Sequence, residues 1–466
     1  MTLAFREAYD HFVQTSDAGV VQKFERLRQD QFSRLDAGEH VYLDYTGGGL
    51  YAEAQLEAHH ELLKTQVFGN PHSLNPSSSA ATELVEQCRT DILAHFNASS
   101  SEYEVVFTQN ASGAFKLVAE AYPFCPESHY LLSFDNHNSV LGIREYAKAR
   151  GARLDYVPLA LPDLTLDAKV LGGLLESSPA SGCKLFAYPA QSNFSGVKHS
   201  LAWVHKAQSH GWEVFLDAAA YAPTNPLDLS RVKPEFVGLS FYKMFGYPTG
   251  LGCLLARKES LAKLRRPWFA GGTISLASVQ GDKHYLSKGA EGFEDGTVNY
   301  LNIPAVSIGL EQLGRVGVPC IQQHVTQLGG WFLEQMLKLR HGNGRPLIKL
   351  YGPETMAGRG ATFTMNFYDE TDRVIDHNVI EAHASERNIS VRTGCFCNPG
   401  TGESAFGITQ GELESCFAQP DAHLTIDDLK LCMDGKNSGA VRVSLGVASN
   451  FEDVYEFVQF SKQFLA

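Results

Sequence analysis

The stretch Leu239–Gly252, LSFYKMFGYPTGLG, decides how the rest of the chain is read. An apolar run, Phe236–Phe241, leads into Lys243; a glycine-rich turn follows, then a second apolar run, Cys253–Ala256. The pattern predicts strand, loop, strand, with the lysine at the turn. Burial strips water from an amine and lowers its pKa. A neutral amine is a nucleophile toward carbonyl groups. An isolated loop lysine is ordinarily a surface residue, so the weight rests on what lies upstream. Asp217 ends another apolar run, Val214–Phe215–Leu216, and is followed by Ala218–Ala219–Ala220. An acid at the end of a buried strand is costly unless it meets a cation or a donor. Alone, it is equally placed to cap a helix opened by the alanines.

An acid and a lysine one strand apart form the arrangement of a pyridoxal-phosphate enzyme. The acid keeps the ring nitrogen protonated and the lysine condenses with the aldehyde. The segments LDAAA and SFYKMFGYPTGLG resemble those of class V aminotransferases, the cysteine-desulfurase group. They resemble most closely the desulfurase-like domain of molybdenum cofactor sulfurases, from about Tyr42 to Val458. The resemblance implies an α/β fold, that of the fold-type-I pyridoxal-phosphate enzymes. It has a mostly parallel large-domain sheet with helices on both faces and a smaller α/β domain. The expected divisions are 1–64, an N-terminal segment of the small domain, 65–305, the cofactor-binding domain, and 306–466, the C-terminal small domain.

Further along the chain, strand ends carry the other candidates. VYLDYTGGGLY has an apolar strand ending at Asp44 before Thr46 and Gly47–Gly49. Glycines let backbone approach a ligand closely, and the family turn here lines the substrate side of the cofactor. FGNPHSLNPSS (Phe68–Ser78) reads as a loop by composition and is given no catalytic role. EVVFTQNASGAFKLVAEAY predicts a strand over Val105–Thr108 and a helix over Ala114–Ala121. The link between them aims backbone N–H groups at an anion, or is a plain turn capped by Asn110 or Ser112. By resemblance Asn110, Ala111 and Ser112 form the phosphate cup. His137, after the strand in HYLLSFDNHN, matches the family histidine that stacks on the ring and handles protons; a lone loop histidine is ordinarily a surface one. Asn193, in AQSNFSG after Lys184–Pro189, is a turn residue by composition and by resemblance bonds the ring hydroxyl oxygen. Many relatives have glutamine where this chain has Ala220, which leaves that contact to Asn193. Ser240 matches a phosphate ligand, and Tyr242 stands where a histidine is usual. Thr297, in FEDGTVNYLNIPA, belongs by resemblance to a loop reaching the partner subunit's phosphate, which implies a homodimer.

Residues 1–40 read as amphipathic helix, with Phe24, Leu27, Phe32 and Leu35 at helical spacing. Beyond residue 305 the chain turns helical over Ile308–Val316 and Cys320–Leu339, then mixed. There lie VRTGCFCNPG (Val391–Gly400) and AVRVSLGVASNFEDVYEFV (Ala440–Val458). Arg442 alternates with apolar residues, ordinarily the mark of a solvent-facing strand residue. By resemblance its fork binds a substrate carboxylate, with Arg392 also at the substrate. Cys395 and Cys397 allow a structural pair, a redox pair or zinc ligation, but no Cys/His cluster at zinc spacing accompanies them. Gly394 and Asn398–Pro399–Gly400 predict a mobile, exposed loop. If extended, it puts both thiols on one side, and Arg392 would favour the thiolate. Matching RTG to the family puts Cys397 at the sulfur-accepting position, with Cys395 an accessory thiol.

The totals bound the answer. The chain has 466 residues, 44% of them hydrophobic and 20% charged, the composition of an ordinary globular protein. A formal charge of −13 argues against nucleic acid or an anionic membrane as partner. No apolar run reaches the ~20 residues of a membrane helix, and MTLAFREAYDHF is not a secretory signal. Nine irregularly spaced cysteines predict reduced thiols in the cytoplasm. The expected enzyme takes sulfur from L-cysteine, leaves L-alanine, and passes the sulfur to an acceptor protein or to molybdenum cofactor. A class V aminotransferase, lyase or epimerase is the alternative. The relatives carry a second domain after this one, and this sequence stops at Ala466; the expectation is that either a separate protein receives the sulfur or the acceptor is something else.

Overall fold

The computed structural model describes residues 2–71, 73–178, 181–417, 432 and 439–466. His72 of the Phe68–Ser78 loop and Pro179–Ala180, before the strand Lys184–Pro189, lie outside the described residues. Seven strands make the main sheet: β1 Tyr103–Thr108, β2 His129–Ser133, β3 Arg153–Val157, β4 Lys184–Pro189, β5 Glu213–Asp217, β6 Phe236–Ser240 and β7 Gly252–Arg257. Their order is β1–β7–β6–β5–β4–β2–β3. The pairs β2/β3, β2/β4, β4/β5 and β5/β6 are parallel. Only β7 is reversed, antiparallel to both β1 and β6. Near-continuous apolar runs such as LFAYP in β4 and VFL in β5 suit strands covered on both faces. Six strands therefore deliver their carboxyl ends to one edge, where ligands of such sheets bind.

A second sheet comprises β8 Ile348–Tyr351, β9 Thr362–Tyr368, β10 Val374–Ile375, β11 Arg392–Gly394 and β12 Ala440–Ser444. It runs β8–β9–β12–β11, with β10 on β9. The N-terminal segment joins this side. Val41–Tyr42 pairs in parallel with Ile389–Ser390, and Asp44 bridges Ser444. The predicted N-terminal helix is broken: one helix spans Ala18–Gln31, and Leu35 lies in a separate turn, Arg34–Ala37. Phe24 and Leu35 are both buried.

One further expectation changes. Cys416 and Cys432 form a disulfide, while the other seven cysteines are free thiols. Spacing along the chain does not show which thiols a fold brings together. No helix of the described residues is long and apolar enough to cross a membrane.

Candidate active site

Lys243 is not on a turn. It sits in a one-turn helix, Phe241–Phe245, which grows from the end of β6 and is stopped by Gly246 at φ +76°. The glycine run packs against that helix. Gly49 N–H donates to Tyr242 O at 3.0 Å. A Cβ on Gly49 would lie 2.8 Å from Lys243 O, and one on Gly47 would strike the Asp44 carboxylate. A cavity of about 150 Å³ opens at the sheet's carboxyl edge, lined by Asn110, Ala111, Ser112, His137, Asn193, Asp217, Ser240, Tyr242 and Lys243. Thr297 is not among its walls; it lines a neighbouring groove and faces Asn70 Nδ2 at 3.4 Å.

The helix after β1 begins at Ala111, three residues earlier than its apolar pattern indicates. Asn110 caps it, its Oδ1 accepting Gly113 N–H at 2.9 Å. Ser240 Oγ accepts Ala111 N–H at 3.0 Å, which leaves the serine proton free to donate. Small residues, a helix N-terminus and a hydroxyl thus converge where an anion is favoured.

Burial pushes the Asp217 pKa up; the hydrogen bond from Ala219 N–H (2.9 Å) and the charge of Lys243 oppose it. A cation arriving opposite Asp217 would relieve that burial cost. Desolvation pushes the Lys243 pKa down, with Asp217 foremost among the charges opposing it. His137 is depressed to about 4, first by burial, then by the Lys243 and Arg442 charges. Its Nδ1 accepts Ser139 N–H at 3.1 Å, so the neutral ring carries its proton on Nε2.

The cysteine loop departs from expectation. Cys397 is exposed, but Phe396, Asn398 and Gly400 around it are buried. Phe396 and Cys397 have φ +55° and +54°, so the loop is a left-handed turn and not an extended strand. Its backbone is tied down: Asn138 N–H donates to Cys397 O (2.7 Å), and Asn193 Nδ2 donates to Phe396 O (2.7 Å). The amide donor expected to reach a ring oxygen is therefore bound to the loop. A thiolate at Cys397 is close enough to favour the charged forms of Lys243 and Arg442.

Arg442 is buried, against the pattern of a solvent-facing strand residue. Its Nη1 donates to Asn193 O (2.9 Å) and its Nη2 to Asp44 Oδ1 (2.9 Å), and its Nε is buried without a partner. Arg392 is half exposed and binds the other Asp44 oxygen at 2.6 Å. Its charge is thus spent on Asp44 rather than on a thiolate. Asp44 was legible only as the end of a strand. A buried acid at a strand end is the same signal that singled out Asp217.

The class-V aminotransferase family model matches residues 41–457. The chain belongs to that family. It is 37% identical over 482 residues to the molybdenum cofactor sulfurase of Arabidopsis thaliana, covering 94% of this chain and 58% of that protein. It is 37% identical over 456 residues to the human molybdenum cofactor sulfurase, covering 93% and 50%. The chain thus spans about half the length of these curated relatives. Its fold matches an apo cysteine desulfurase of Thermococcus onnurineus NA1 with TM-score 0.76 at 23% identity, covering 95% of this chain and 98% of that one. That is the fold-type-I architecture. The family cofactor is pyridoxal phosphate, and the cavity suits it. A buried acid needing a cation, a desolvated lysine and an anion-favouring helix end share its walls.

Proposed function

We propose that the chain is a pyridoxal-phosphate-dependent cysteine desulfurase that moves sulfur from L-cysteine to Cys397 and releases L-alanine. The observation that carries this reading is a cavity that gathers Asp217, His137 and Lys243, with exposed Cys397 on a loop tied to the cavity wall through Asn193 Nδ2 and Asn138 N–H. Bound pyridoxal phosphate supplies the electron sink that labilises bonds of the amino acid. Lys243 would hold it, Asp217 would pair with its ring nitrogen, and His137 would lie against its ring. Asn110, Ala111, Ser112, Ser240 and Tyr242 receive its phosphate. Asn193 reaches the ring oxygen with the second hydrogen of its amide, the first staying on Phe396 O. Arg442, aided by Arg392, receives the substrate carboxylate. His137 and Lys243 carry protons between substrate atoms. The Cys397 thiolate attacks the substrate sulfur; an S–S bond forms as the C–S bond breaks. The freed electron pair stays with the carbon, which takes up a proton to give alanine. No outside oxidant is needed.

The sulfur then passes to an acceptor. The names of the curated relatives point to molybdenum cofactor, and a separate acceptor protein is the other candidate. The same reading makes residues 65–305 the cofactor-binding domain, and 1–64 with 306–466 the smaller one. The bridge Asp44–Ser444 and the pair Arg28–Asp453 support that division. The same reading includes a homodimer, with Thr297 reaching the partner's phosphate. Seven free thiols against one disulfide favour the cytoplasm.

Two variants test the reading. Lys243→Ala should lose the visible cofactor band that borohydride abolishes in the parent, and all turnover with it. Cys397→Ser should keep the band and gain no sulfur by mass spectrometry after incubation with cysteine. If Cys397→Ser still releases alanine at the parent rate, sulfur transfer through this thiol is wrong and the aminotransferase or lyase reading replaces it.

A further inference from the structure

Asp135 lies two residues before His137, wholly buried at the carboxyl end of β2. It does not line the cavity. Its Oδ1 accepts from Ser192 Oγ (2.7 Å), Asn398 Nδ2 (2.7 Å) and Thr401 Oγ1 (2.8 Å). Its Oδ2 accepts from His199 Nε2 at 2.7 Å. Burial opposes the charge, but these donors, His199 foremost, outweigh it and hold the carboxyl below its usual range. The donors come from two parts of the chain. Ser192 and His199 follow β4, beside Asn193 of the cavity wall. Asn398 and Thr401 follow Cys397 and open the helix Pro399–Phe406, where a carboxylate is favoured.

We propose that Asp135 is a positioning residue that staples the Cys397 loop to the cavity wall, a role resting on the reading of Cys397 as the sulfur carrier. Two consecutive non-glycine residues in the left-handed region do not hold that shape unaided. The surroundings impose it at three points. Asn193 Nδ2 holds Phe396 O, Asn138 N–H holds Cys397 O, and Asp135 holds Asn398 and Thr401. Asn398 Nδ2 also reaches Asn193 Oδ1 at 3.0 Å, so one side chain ties the staple to the wall. Asp135, Asn138 and His137 leave one strand end together. The staple therefore fixes the sulfur-bearing loop to the same segment that carries His137. An asparagine at 135 would turn an N–H₂ toward one set of these donors, so a neutral isostere is not equivalent.

Asp135→Asn risks misfolding, so the test cuts the loop end of the staple in the full-length holoprotein. Thr401→Val removes one donor, Asn398→Ala the other, and Thr401→Ser keeps the hydroxyl. Thr401→Val and Asn398→Ala should speed amide exchange of Asn138 and of residues 393–402 by about tenfold, the scale of one buried charged hydrogen bond. Exchange elsewhere should stay at the parent rate. Sulfur should reach Cys397 about tenfold more slowly, with the KM for cysteine and the cofactor absorbance unchanged. Thr401→Ser should restore both. Unchanged exchange in both donor-less variants would overturn the staple. Faster exchange with parent-rate sulfur arrival would overturn its positioning role. A parent that never gains sulfur breaks the reading of the reaction instead, and exchange alone then decides the staple.

Discussion

Among the described residues two buried arginine–aspartate pairs, Arg28–Asp453 and Arg442–Asp44, are finished differently. Arg28 joins the N-terminal helices to the C-terminal helix through Asp453 (2.7 and 3.2 Å), Asp36 (2.8 Å) and Ala448 O (2.6 Å). Every guanidinium nitrogen of Arg28 has a partner. Arg442 pairs with Asp44 and Asn193 O, and its buried Nε has none. Asp44 has a second cation in Arg392, so it can cede Arg442 without being stranded. A buried charge with complete bonding does structural work. One left with an open donor and a replaceable partner is suited to receiving an anion.

The largest expected effect comes from breaking the finished pair. Arg28→Met leaves Asp453 buried and alone, and the loss of such a partner costs ~3–5 kcal/mol of stability. Burial already pushes Asp453 up to about 7 with Arg28 opposing it, which marks how poorly that site tolerates an unpaired carboxylate. Denaturant unfolding measures the loss, and a second change, Asp453→Leu, should recover much of it. Arg442→Met should cost less stability, because Asp44 keeps Arg392. Equal losses in the two variants would erase the distinction between the pairs.

The order should invert for catalysis. Arg442→Met removes ~1.5–3 kcal/mol of charged hydrogen bonding to the substrate, so kcat/KM for cysteine should fall by about tenfold or more. Arg28→Met, assayed below its unfolding range, should stay near the parent value. If Arg442→Met retains full kcat/KM, its open Nε is a packing defect and not a carboxylate site.

The contrast also shows where the amino-acid sequence runs out. The strand ends carrying Asn110, Asn193, Asp217 and Ser240 were legible because apolar runs and small-residue links are local signals. Lys243 was legible by its position, though its one-turn helix was not, since five residues carry too little periodicity to oppose a glycine-rich turn. The Cys397 loop was misread as extended because its shape comes from Asp135, Asn138 and Asn193, contacts more than two hundred residues distant. Arg442 followed the alternation of a half-exposed strand, but the N-terminal segment covers that face with Asp44. For the loop and for Arg442 the deciding partner lies far along the chain.

The smallest effect separates the two regions most finely. Each contains a histidine depressed to about 4: His137 near Arg442, and His324, stacked on Phe24 and bonded to Ser449 O, near Arg28. Burial leads in both, but only His137 also carries the repulsion of Lys243 and Arg442. Both rings should therefore be neutral from pH 8 to 5, and neither should titrate near the usual ~6.5. Both folded pKa values lie below that unfolded value, so the unfolded chain binds more protons between pH 6.5 and about 4. Stability should fall as pH falls through that window and be unaffected above it. Removing a neighbouring cation makes protonation easier. Arg442→Met should therefore move the His137 midpoint upward, by about a unit or less at the charge spacing of a partly solvated site, and leave His324 where it is. Arg28→Met should not move His137. Histidine C2-proton shifts followed by NMR, assigned with His137→Gln and His324→Gln, read both rings at once. If His137 keeps its midpoint in Arg442→Met, burial alone sets it, and the arginine does not share an electrostatic site with the cavity.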